Sequence, residues 1–434
     1  PAGRVQPAAA RPRVQPAQAP AMEGEHGWRP LMETPTSTAA LQLEFCLPTG
    51  QTFRWRRTGD GQFTGVVGTR LLCLRQHSGD VSYRVLARGA GASEAGDALA
   101  LHDYFNLGTS LEALSTGWAA SCERYRRVSP YFPGARMLRQ DPVECLYQFL
   151  CSSNNHISRI QGMVERLCSA YGTPLTPEDA AAGQGAGGLV STAGDRAAAQ
   201  EVVAPAASDA GLEPSASANP KEGGADKAAL SFFAFPSLEQ LSRATEEELR
   251  EAGFGYRARY VVGTTQALMA KPGGGRQWLL SLRQASLEEA VAALTELPGI
   301  GPKVAACVCL FSLDKHGAIP VDTHVWQICI KYYRPQLRGK SLTKKVHAEV
   351  QQIFVDRFGP YAGWAHNTLF ISELASQQHR LPDKLRQGGK VSSSKGGGDV
   401  ADAADDRAPE AGEAAGKKLA NAKKRWTPTV PSDD

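Results

Sequence analysis

The spacing of apolar residues divides the chain into two parts. From about residue 37 to residue 125, short apolar runs alternate with polar residues, and Thr-Gly, Gly-Asp-Gly and Ser-Gly-Asp steps separate the runs. Alternation with a period of two, interrupted by turn residues of this kind, is typical of antiparallel strands. The pattern predicts an antiparallel β-rich domain, with bounds at residues 37–134.

From Asp141 the spacing becomes that of helices. Asp141 followed by Pro142 is a typical N-cap and first helical residue. The next apolar residues share one helical face: Val143, Leu146, Phe149 and Leu150. Polar residues 152–155 interrupt this helix, and a second helix is predicted from about Ile157 to Ala170.

Further helical segments extend to about Gln377. In SLEEAVAALTELPGIG, Ser286 and Glu289 have the spacing of a capping box. The segment that ends in GFGYRARYVVGTTQALM predicts a helix, a glycine turn and another helix. The predicted fold is α+β, with the small antiparallel sheet domain followed by a larger helical domain over residues 135–379.

Three low-complexity stretches lack the apolar residues that a core requires, at residues 1–36, 178–226 and 380–434. The first is predicted to be a disordered extension. Its Ala, Pro and Arg content also resembles an organellar transit segment, although serines are few and prolines many. The second is predicted to be an insert on the surface of the helical domain. The third carries the basic cluster KKLANAKKRW, which suits nuclear import, phosphate attraction or simple solvation.

Composition narrows the function classes only slightly. The 434 residues are 42% hydrophobic and 21% charged, with a net charge of +4. This balance is ordinary for a globular protein and argues weakly for a nucleic-acid partner. No apolar run approaches the length of about 18 residues that spans a membrane. The nine cysteines form no CxxC pair, so reduced thiols in an intracellular protein are predicted, with no metal site.

A glycine-rich loop separates two of the predicted helices. Gly299 and Gly301 flank Ile300, and Pro302 suits the first turn of the next helix. Unpaired amides at a helix start beside such a loop form a site for an anion, and phosphate is the obvious one. A plain tight turn between two helices explains the same residues.

Lys303 follows in the first turn of an apolar helix. The positive end of the helix dipole disfavours an ammonium group there, and burial does so too. Both effects favour the uncharged amine that a nucleophilic lysine requires. Cys307 lies one turn later on the same face, so this face can line a pocket. The alternative is a lysine that extends from the first turn into solvent.

Asp322 follows the apolar residues Ala318–Val321 and precedes the next predicted helix. It has the position of an N-cap, and a cap alone needs no catalytic role. The connection back to the helix of Lys303 is short, however, so the two helix starts are expected to share a cleft. A carboxylate beside a lysine could accept a proton or stabilise a cation. His324, two residues on, is expected to face elsewhere and to bind phosphate or solvent.

These motifs, taken in order, resemble those of the helix-hairpin-helix DNA glycosylases. LPGIGPKVA and VDTHVW correspond to the hairpin and the aspartate that follows it. Four more stretches resemble the eukaryotic 8-oxoguanine DNA glycosylase/AP lyase family: GQTFRW, RQDPVECLYQFLCSSNNHISRI, GFGYRARY and GPYAGWAHNTLF. The resemblance extends from about Leu41 to Leu374, except for the insert. It implies a sheet domain of the TBP-like kind packed on a helical glycosylase domain.

The resemblance implies a lysine nucleophile and a supporting carboxylate. Lys303 corresponds to the lysine that attacks the sugar C1′, expels the oxidised base and forms a Schiff base, after which β-elimination cuts the strand. Asp322 corresponds to the aspartate that supports this lysine and stabilises the oxocarbenium. Because the base is inaccessible inside the duplex, it must be flipped out.

The resemblance also implies a pocket for the flipped base. Cys307 and Phe370 correspond to the two side chains that sandwich the base. Gly50 corresponds to the glycine whose carbonyl accepts the N7–H group that distinguishes 8-oxoguanine from guanine. His366 stands where the family usually has a glutamine that reads the base edge. His156 stands where a third asparagine is usual.

The remaining implied residues bind DNA. Asn154 corresponds to the residue that fills the vacated stack, and Tyr256 to the wedge beside it. Arg159 and Arg257 correspond to the pair that grips the orphaned cytosine. The other implied contacts are to phosphate: Gly299, Gly301, Val304 and His324.

The histidine at position 366 is the principal departure from the family. Its neutral ring has one donor and one acceptor on opposite sides, so it cannot copy the paired contacts of an amide. We expect altered base affinity, altered lesion range or a loss of activity below the ordinary histidine pKa near 6.5.

The resemblance implies a DNA glycosylase and AP lyase that acts on 8-oxoguanine paired with cytosine. It implies no required cofactor and a structural cation at the backbone of Gly299, Gly301 and Val304. It also implies a monomer without membrane contact and a nuclear location, with the mitochondrion or plastid as further destinations.

Relatives that remove alkylated bases or adenine generally lack the lysine. Relatives for oxidised pyrimidines and adenine usually have four cysteines after the aspartate helix, whereas here only Cys329 lies beyond Asp322. A non-catalytic hairpin protein would not require Lys303 and Asp322 together.

Overall fold

The computed structural model describes residues 27–32, 40–78, 80–176 and 231–386. The predicted insert at residues 178–226, the basic cluster near the carboxyl terminus and most of the two predicted disordered ends lie outside these residues. The statements below concern the described residues.

An antiparallel sheet begins the fold, as the alternating pattern predicts. Its strands are β1 (Arg29–Pro30), β2 (Trp55–Gly59), β3 (Gln62–Val67), β4 (Arg70–Gln76) and β5 (Val81–Arg88), in the spatial order β1-β5-β4-β3-β2. Strands β6 (Pro174–Leu175) and β7 (Phe232–Phe233) pair as a separate two-stranded ribbon. In the sequence, β6 precedes the predicted insert and β7 follows it.

One face of the sheet is closed by a tryptophan that packs over a glycine. Trp55 pairs with Gly65 across β2 and β3, and a Cβ atom on Gly65 would lie 2.5 Å from the indole ring. The indole Nε1–H donates a hydrogen bond of 2.9 Å to the Tyr104 hydroxyl. Any side chain at position 65 would therefore displace Trp55 from the sheet core.

The larger part of the structure is helical. The α-helices are α1 (Leu43–Cys46), α2 (Asp97–Tyr104), α3 (Leu111–Ser121), α4 (Glu123–Val128), α5 (Pro142–Leu150), α6 (Ile157–Tyr171), α7 (Leu238–Leu241), α8 (Glu246–Leu249), α9 (Ala258–Met269), α10 (Gly275–Ser281), α11 (Leu287–Thr295), α12 (Pro302–Ser312), α13 (Thr323–Ile328), α14 (Lys344–Phe358) and α15 (Ala362–Glu373). Single π-helical turns, Arg250–Phe254 and Cys329–Tyr333, adjoin α8 and α13.

Local capping explains where several of these helices begin. The Asp141 carboxylate accepts the backbone N–H groups of Val143 and Glu144, and Pro142 is the first helical residue of α5. Ser286 and Glu289 form the predicted capping box at the start of α11. These N-cap predictions are confirmed.

The predicted β-rich domain at residues 37–134 contains helices as well as strands. Residues 97–128 form α2, α3 and α4, and Leu111, Trp118 and Tyr125 of this segment belong to the helical core. Leu111, Leu114 and Trp118 have helical spacing, and the Ser110 hydroxyl caps α3. The sheet therefore ends at Arg88, and α3 and α4 pack with the helical domain.

The structure also corrects both predicted disordered ends. Strand β1 lies within residues 1–36, and it is held because Leu31 is buried and the Trp28 ring lies under the Arg75 guanidinium at 4.2 Å. At the other end, residues 380–386 are ordered, and Leu385 is buried in the helical core.

Candidate active site

One cavity contains the two predicted catalytic residues and every predicted base-pocket residue. Its volume is about 70 Å³, and it lies where α12, α13 and α15 meet the loop before β2. The predicted residues that line it are Gly50, Lys303, Cys307, Asp322, His366 and Phe370. Residues more than 300 positions apart in the sequence are thus brought to a single site.

Helix α12 carries Lys303 and Cys307 into this cavity on one face. Lys303 is half-buried, and its Nζ lies 3.5 Å from the Ser152 hydroxyl oxygen. Burial raises the pKa of the Cys307 thiol to about 11, although the Lys303 charge opposes this effect. Cys307 therefore presents an uncharged sulfur atom to the cavity at neutral pH, as a stacking surface requires.

Asp322 caps α13 and also lines the cavity. Its Oδ1 atom accepts the Val325 N–H at 2.9 Å, which confirms the predicted N-cap. Its Oδ2 atom has no protein partner in the described part of the chain. One carboxylate oxygen fixes the side chain, and the other is free for chemistry beside Lys303.

His366 lies on α15 in a largely apolar environment. The ring is 5% exposed and meets the rings of Phe354 and Phe370 at centroid distances of 5.4 and 6.2 Å. Burial lowers the pKa of His366 to about 4, with the Asp322 charge opposing it. The ring therefore stays neutral well below pH 6.5, and the predicted loss of activity is expected at correspondingly lower pH.

Buried glutamine side chains hold the loop of Gly50 against the helical domain. Gln51 donates to the Arg136 carbonyl at 3.0 Å and accepts the Leu138 amide at 3.1 Å. Gln148 of α5 accepts the Phe53 amide at 2.7 Å. Gly50 itself has a φ of +89°, which favours glycine. Sequence reasoning missed these glutamines, because their partners are 85 to 95 residues away in the chain.

The two hairpin glycines differ in their reasons for being glycine. Gly299 has a φ of +79°, and a Cβ atom there would lie 2.5 Å from the Tyr260 side chain. Gly301 has a φ of −91°, and a Cβ atom there would meet nothing within 4 Å. The positive φ and the close approach of Tyr260 therefore both favour glycine at position 299, whereas neither applies at position 301. The backbone of Gly301 is instead open to the surroundings, and no side chain caps α12.

Three of the predicted DNA-binding side chains are exposed on neighbouring turns. Asn154 has a φ of +48° in the tight turn after α5, and Arg159 lies in the first turn of α6. The Tyr256 ring is 43% exposed, and its hydroxyl donates to the Ser153 carbonyl at 3.1 Å. This bond joins the turn of Asn154 to the turn of Tyr256.

Arg257 does not share this exposure. It is 3% exposed, and its guanidinium donates to the carbonyl oxygens of Ser153 and Asn154. Its position under the Tyr256 ring, 4.5 Å from the centroid, adds a cation–π contact. In this structure Arg257 supports the turn that carries Asn154 and is not available at the surface.

The other hairpin and phosphate residues have mixed positions. The Val304 side chain is buried, so only its backbone can reach a phosphate. His324 is exposed, and its ring meets the Phe370 ring edge-on at 5.8 Å. His324 does not line the cavity, as expected, and it contacts the pocket residue Phe370 from outside.

Two further properties concern metals and membranes. In residues 27–32, 40–78, 80–176 and 231–386, no group of three or more His, Cys, Asp or Glu side chains could hold a metal ion. None of the helices that the structure describes is long and apolar enough to cross a bilayer.

Comparison with known families agrees with this geometry. Residues 33–146 match the family model described as 8-oxoguanine DNA glycosylase, N-terminal domain. Residues 221–354 match the HhH-GPD superfamily of base excision DNA repair proteins. The two matches cover strands β2 to β5 with the helices that follow them, and the part of the helical domain that contains Lys303 and Asp322.

Curated relatives cover most of the chain. The N-glycosylase/DNA lyase OGG1 of Arabidopsis thaliana is 46% identical over 82% of this chain and 83% of the relative. The N-glycosylase/DNA lyase of Saccharomyces cerevisiae is 32% identical over 77% of this chain and 84% of the relative.

Solved structures share the fold at low sequence identity. The structure of MBOgg1 in complex with a low-affinity DNA ligand has a TM-score of 0.57 at 21% identity, covering 79% of this chain and 96% of that one. The Clostridium acetobutylicum 8-oxoguanine glycosylase/lyase with DNA has a TM-score of 0.56 at 22% identity, covering 76% and 90%. With the two family matches and the curated relatives, these findings show that the chain belongs to the 8-oxoguanine DNA glycosylase family of N-glycosylase/DNA lyases.

Proposed function

We propose that this N-glycosylase/DNA lyase removes 8-oxoguanine from its pair with cytosine, with Lys303 as the nucleophile and Asp322 as its supporting carboxylate. The observation that carries the proposal is the single cavity lined by Lys303, Asp322, Cys307 and Phe370. It joins a nucleophile, a carboxylate and two side chains suited to stacking on a base. One fold neighbour was solved with double-stranded DNA that contains cytosine opposite 8-oxoguanine, which supports DNA as the partner.

The reaction follows from the groups in the cavity. The Lys303 amine attacks the sugar C1′, the bond from C1′ to the base nitrogen breaks, and the base leaves with that electron pair and takes up a proton. The amine loses its protons as the sugar ring opens and a C1′=N Schiff base forms. Loss of a proton from C2′ then expels the 3′ phosphate, and water releases the lysine.

Asp322 suits the charged stages of this sequence. Asp322 lines the same cavity as Lys303, so its carboxylate can stabilise positive charge that develops at the sugar. Its Oδ1 atom remains fixed by the Val325 amide. A capped carboxylate needs no rearrangement as the charge forms.

We assign the reading of the lesion to Gly50 and the reading of the opposite base to Arg159. Gly50 and Cys307 both line the cavity, which supports a role for the Gly50 carbonyl as the acceptor of an N7–H group. Arg159 is exposed near Tyr256 and Asn154, where an unpaired cytosine would lie after flipping. Arg257 supports this surface from below.

Three smaller proposals accompany this function. The chain acts as a monomer. The backbone of Gly299, Gly301 and Val304 binds a DNA phosphate and a structural cation; the open space at Gly301 and the uncapped start of α12 suit the phosphate. The Gly301 carbonyl keeps one lone pair for a cation after accepting the Ala305 amide at 2.9 Å. The protein acts in the nucleus, and the mitochondrion or plastid is a second destination.

Borohydride trapping tests the catalytic proposal. The protein is incubated with duplexes that contain 8-oxoguanine opposite each of the four bases, and the imine is reduced to a stable protein–DNA adduct. We expect an adduct that is strongest opposite cytosine and absent in Lys303→Gln. Active protein that forms no adduct would contradict the lysine mechanism.

A second variant separates loss of chemistry from loss of structure. Arg159→Gln leaves the cavity intact, so we expect trapping to persist while the preference for cytosine falls. An unchanged preference would remove Arg159 from the cytosine site without affecting the role of Lys303.

A further inference from the structure

Two adjacent polar side chains in the cavity wall lack protein partners. His366 and Asn367 are 5% and 4% exposed, and both line the cavity that holds Lys303. Neither ring nitrogen of His366 has a hydrogen-bond partner in the described part of the chain, and neither does Nδ2 of Asn367. Buried N–H groups are almost always paired in folded proteins. Unpaired groups in the wall of a ligand cavity therefore indicate the polarity of the ligand.

Other buried polar groups of the same helix have partners. Thr368, the next residue, is buried on the other side of α15 and interacts with the Tyr125 hydroxyl. The Ser372 hydroxyl donates to the Leu369 carbonyl at 2.7 Å. The lack of partners is thus confined to the part of the helix that borders the cavity.

We propose that Asn367 is a second base-reading residue, whose Nδ2–H donates to the carbonyl oxygen at C6 of the flipped oxidised purine while His366 accepts the adjacent N1–H. This inference rests on the proposed function, because it concerns the base that the cavity receives. It assigns recognition of the base edge to two neighbouring residues.

The chemistry of histidine makes a second residue necessary. A neutral imidazole has its donor and its acceptor on opposite sides of the ring, so it cannot bond a carbonyl and an N–H that are neighbours on one base edge. An amide on the next residue supplies the missing donor. The pair then matches the edge of an oxidised guanine, which has a carbonyl at C6 beside N1–H.

The same pair disfavours an oxidised adenine. That base has an amino group at C6, so the Nδ2–H of Asn367 would face another donor. A site built to bond one polar group discriminates strongly against an analogue that leaves it unpaired. Asn367 is therefore predicted to set the preference between the two oxidised purines.

The test compares wild type with Asn367→Leu, which replaces the amide by an apolar side chain with the same number of heavy atoms. Single-turnover excision is measured on 8-oxoguanine and 8-oxoadenine duplexes, both opposite cytosine, together with cleavage of a preformed abasic site. We expect the 8-oxoguanine rate and its ratio to the 8-oxoadenine rate to fall at least tenfold. Abasic cleavage is expected to remain unchanged, because it requires no base. If Asn367→Leu does not fold, Asn367→Ala gives the same comparison without added volume.

Matched variants complete the experiment. Thr368→Val removes a buried hydroxyl from the adjacent position and is expected to leave the ratio unchanged. In a His366→Gln background the glutamine amide can supply the donor, so the loss from Asn367→Leu is expected to shrink severalfold. An equal loss in both backgrounds would overturn the shared reading of the base edge.

The outcomes distinguish this inference from the function on which it rests. Normal abasic cleavage with an unchanged purine ratio in Asn367→Leu would overturn the role of Asn367 and leave the proposed function intact. Failure of wild type to excise 8-oxoguanine would instead overturn the proposed function itself.

Discussion

His366 shows how one buried residue links the site to the stability of the protein. In the unfolded chain its ring takes up a proton below about pH 6.5, whereas the folded ring stays neutral down to about pH 4. Between these values the unfolded state binds more protons, so stability falls as the pH falls. The loss of stability caused by this ring begins as the pH falls below about 6.5 and is complete by about pH 4.

We predict that this ring lowers the free energy of unfolding by about 3 kcal/mol between pH 6.5 and pH 4. Urea unfolding of wild type and His366→Gln over this range measures the effect. The variant is expected to show a flatter profile, because glutamine does not titrate. Parallel profiles for the two proteins would mean that the folded ring titrates as an exposed histidine does.

The sequence pattern could identify His366 as unusual but could not give its pKa. The resemblance places it at a base-reading position, while its burial depends on Phe354, Phe370 and the packing of α14 on α15. Asn367 was overlooked for a related reason. An asparagine in a helix is unremarkable until the structure shows that its amide is buried beside a cavity.

At the scale of elements, the hairpin between α11 and α12 was predictable because its signals are local. The capping box at Ser286, the glycine at Gly299 and the proline at the start of α12 act on their immediate neighbours. The loop of Gly50 was not predictable in the same way. Its position depends on Gln51 and Gln148, whose hydrogen bonds connect distant parts of the chain.

The hairpin provides a matched pair of glycine substitutions. We predict that Gly299→Ala costs about 1 to 3 kcal/mol of stability, since it combines a positive φ with a clash against Tyr260. Gly301→Ala is expected to change stability by less than about 0.5 kcal/mol, because its Cβ atom meets open space.

The affinity for duplex DNA is expected to distinguish the two glycine substitutions further. Duplex binding at several salt concentrations is expected to weaken in Gly301→Ala even though the fold is intact, because the methyl group occupies the approach of a phosphate. Undiminished DNA affinity in Gly301→Ala would show that this backbone does not contact DNA.

At the scale of the whole molecule, the order of a sheet domain and a helical domain was predictable, but the boundary between them was not. Turn signals and apolar alternation predicted the β-rich region that contains strands β2 to β5. Helices α2 to α4 were missed, because their apolar residues had been assigned to the preceding strand pattern. Strand β1 was not predicted, because two residues are too few to show an alternating apolar pattern. The burial of Leu31 and the contact of Trp28 with Arg75 hold this strand against the sheet.

This strand makes a prediction about truncation. A chain that begins at Glu33 is expected to be less stable than one that begins at Gly27 by about 2 to 4 kcal/mol, the contribution of burying Leu31 and of the contacts of Trp28 with Arg75 and Arg84. Denaturant unfolding of the two proteins gives this difference directly. Equal stabilities would mean that β1 contributes nothing to the sheet.

The central claim is that Lys303 forms the covalent bond to the DNA sugar. Mass spectrometry of the borohydride-reduced complex, after digestion with protease and nuclease, identifies the residue that carries the sugar. The account predicts one modified peptide, with the mass increase on Lys303 and none in Lys303→Gln. A modified lysine elsewhere in wild type, or a normal adduct in Lys303→Gln, would contradict it.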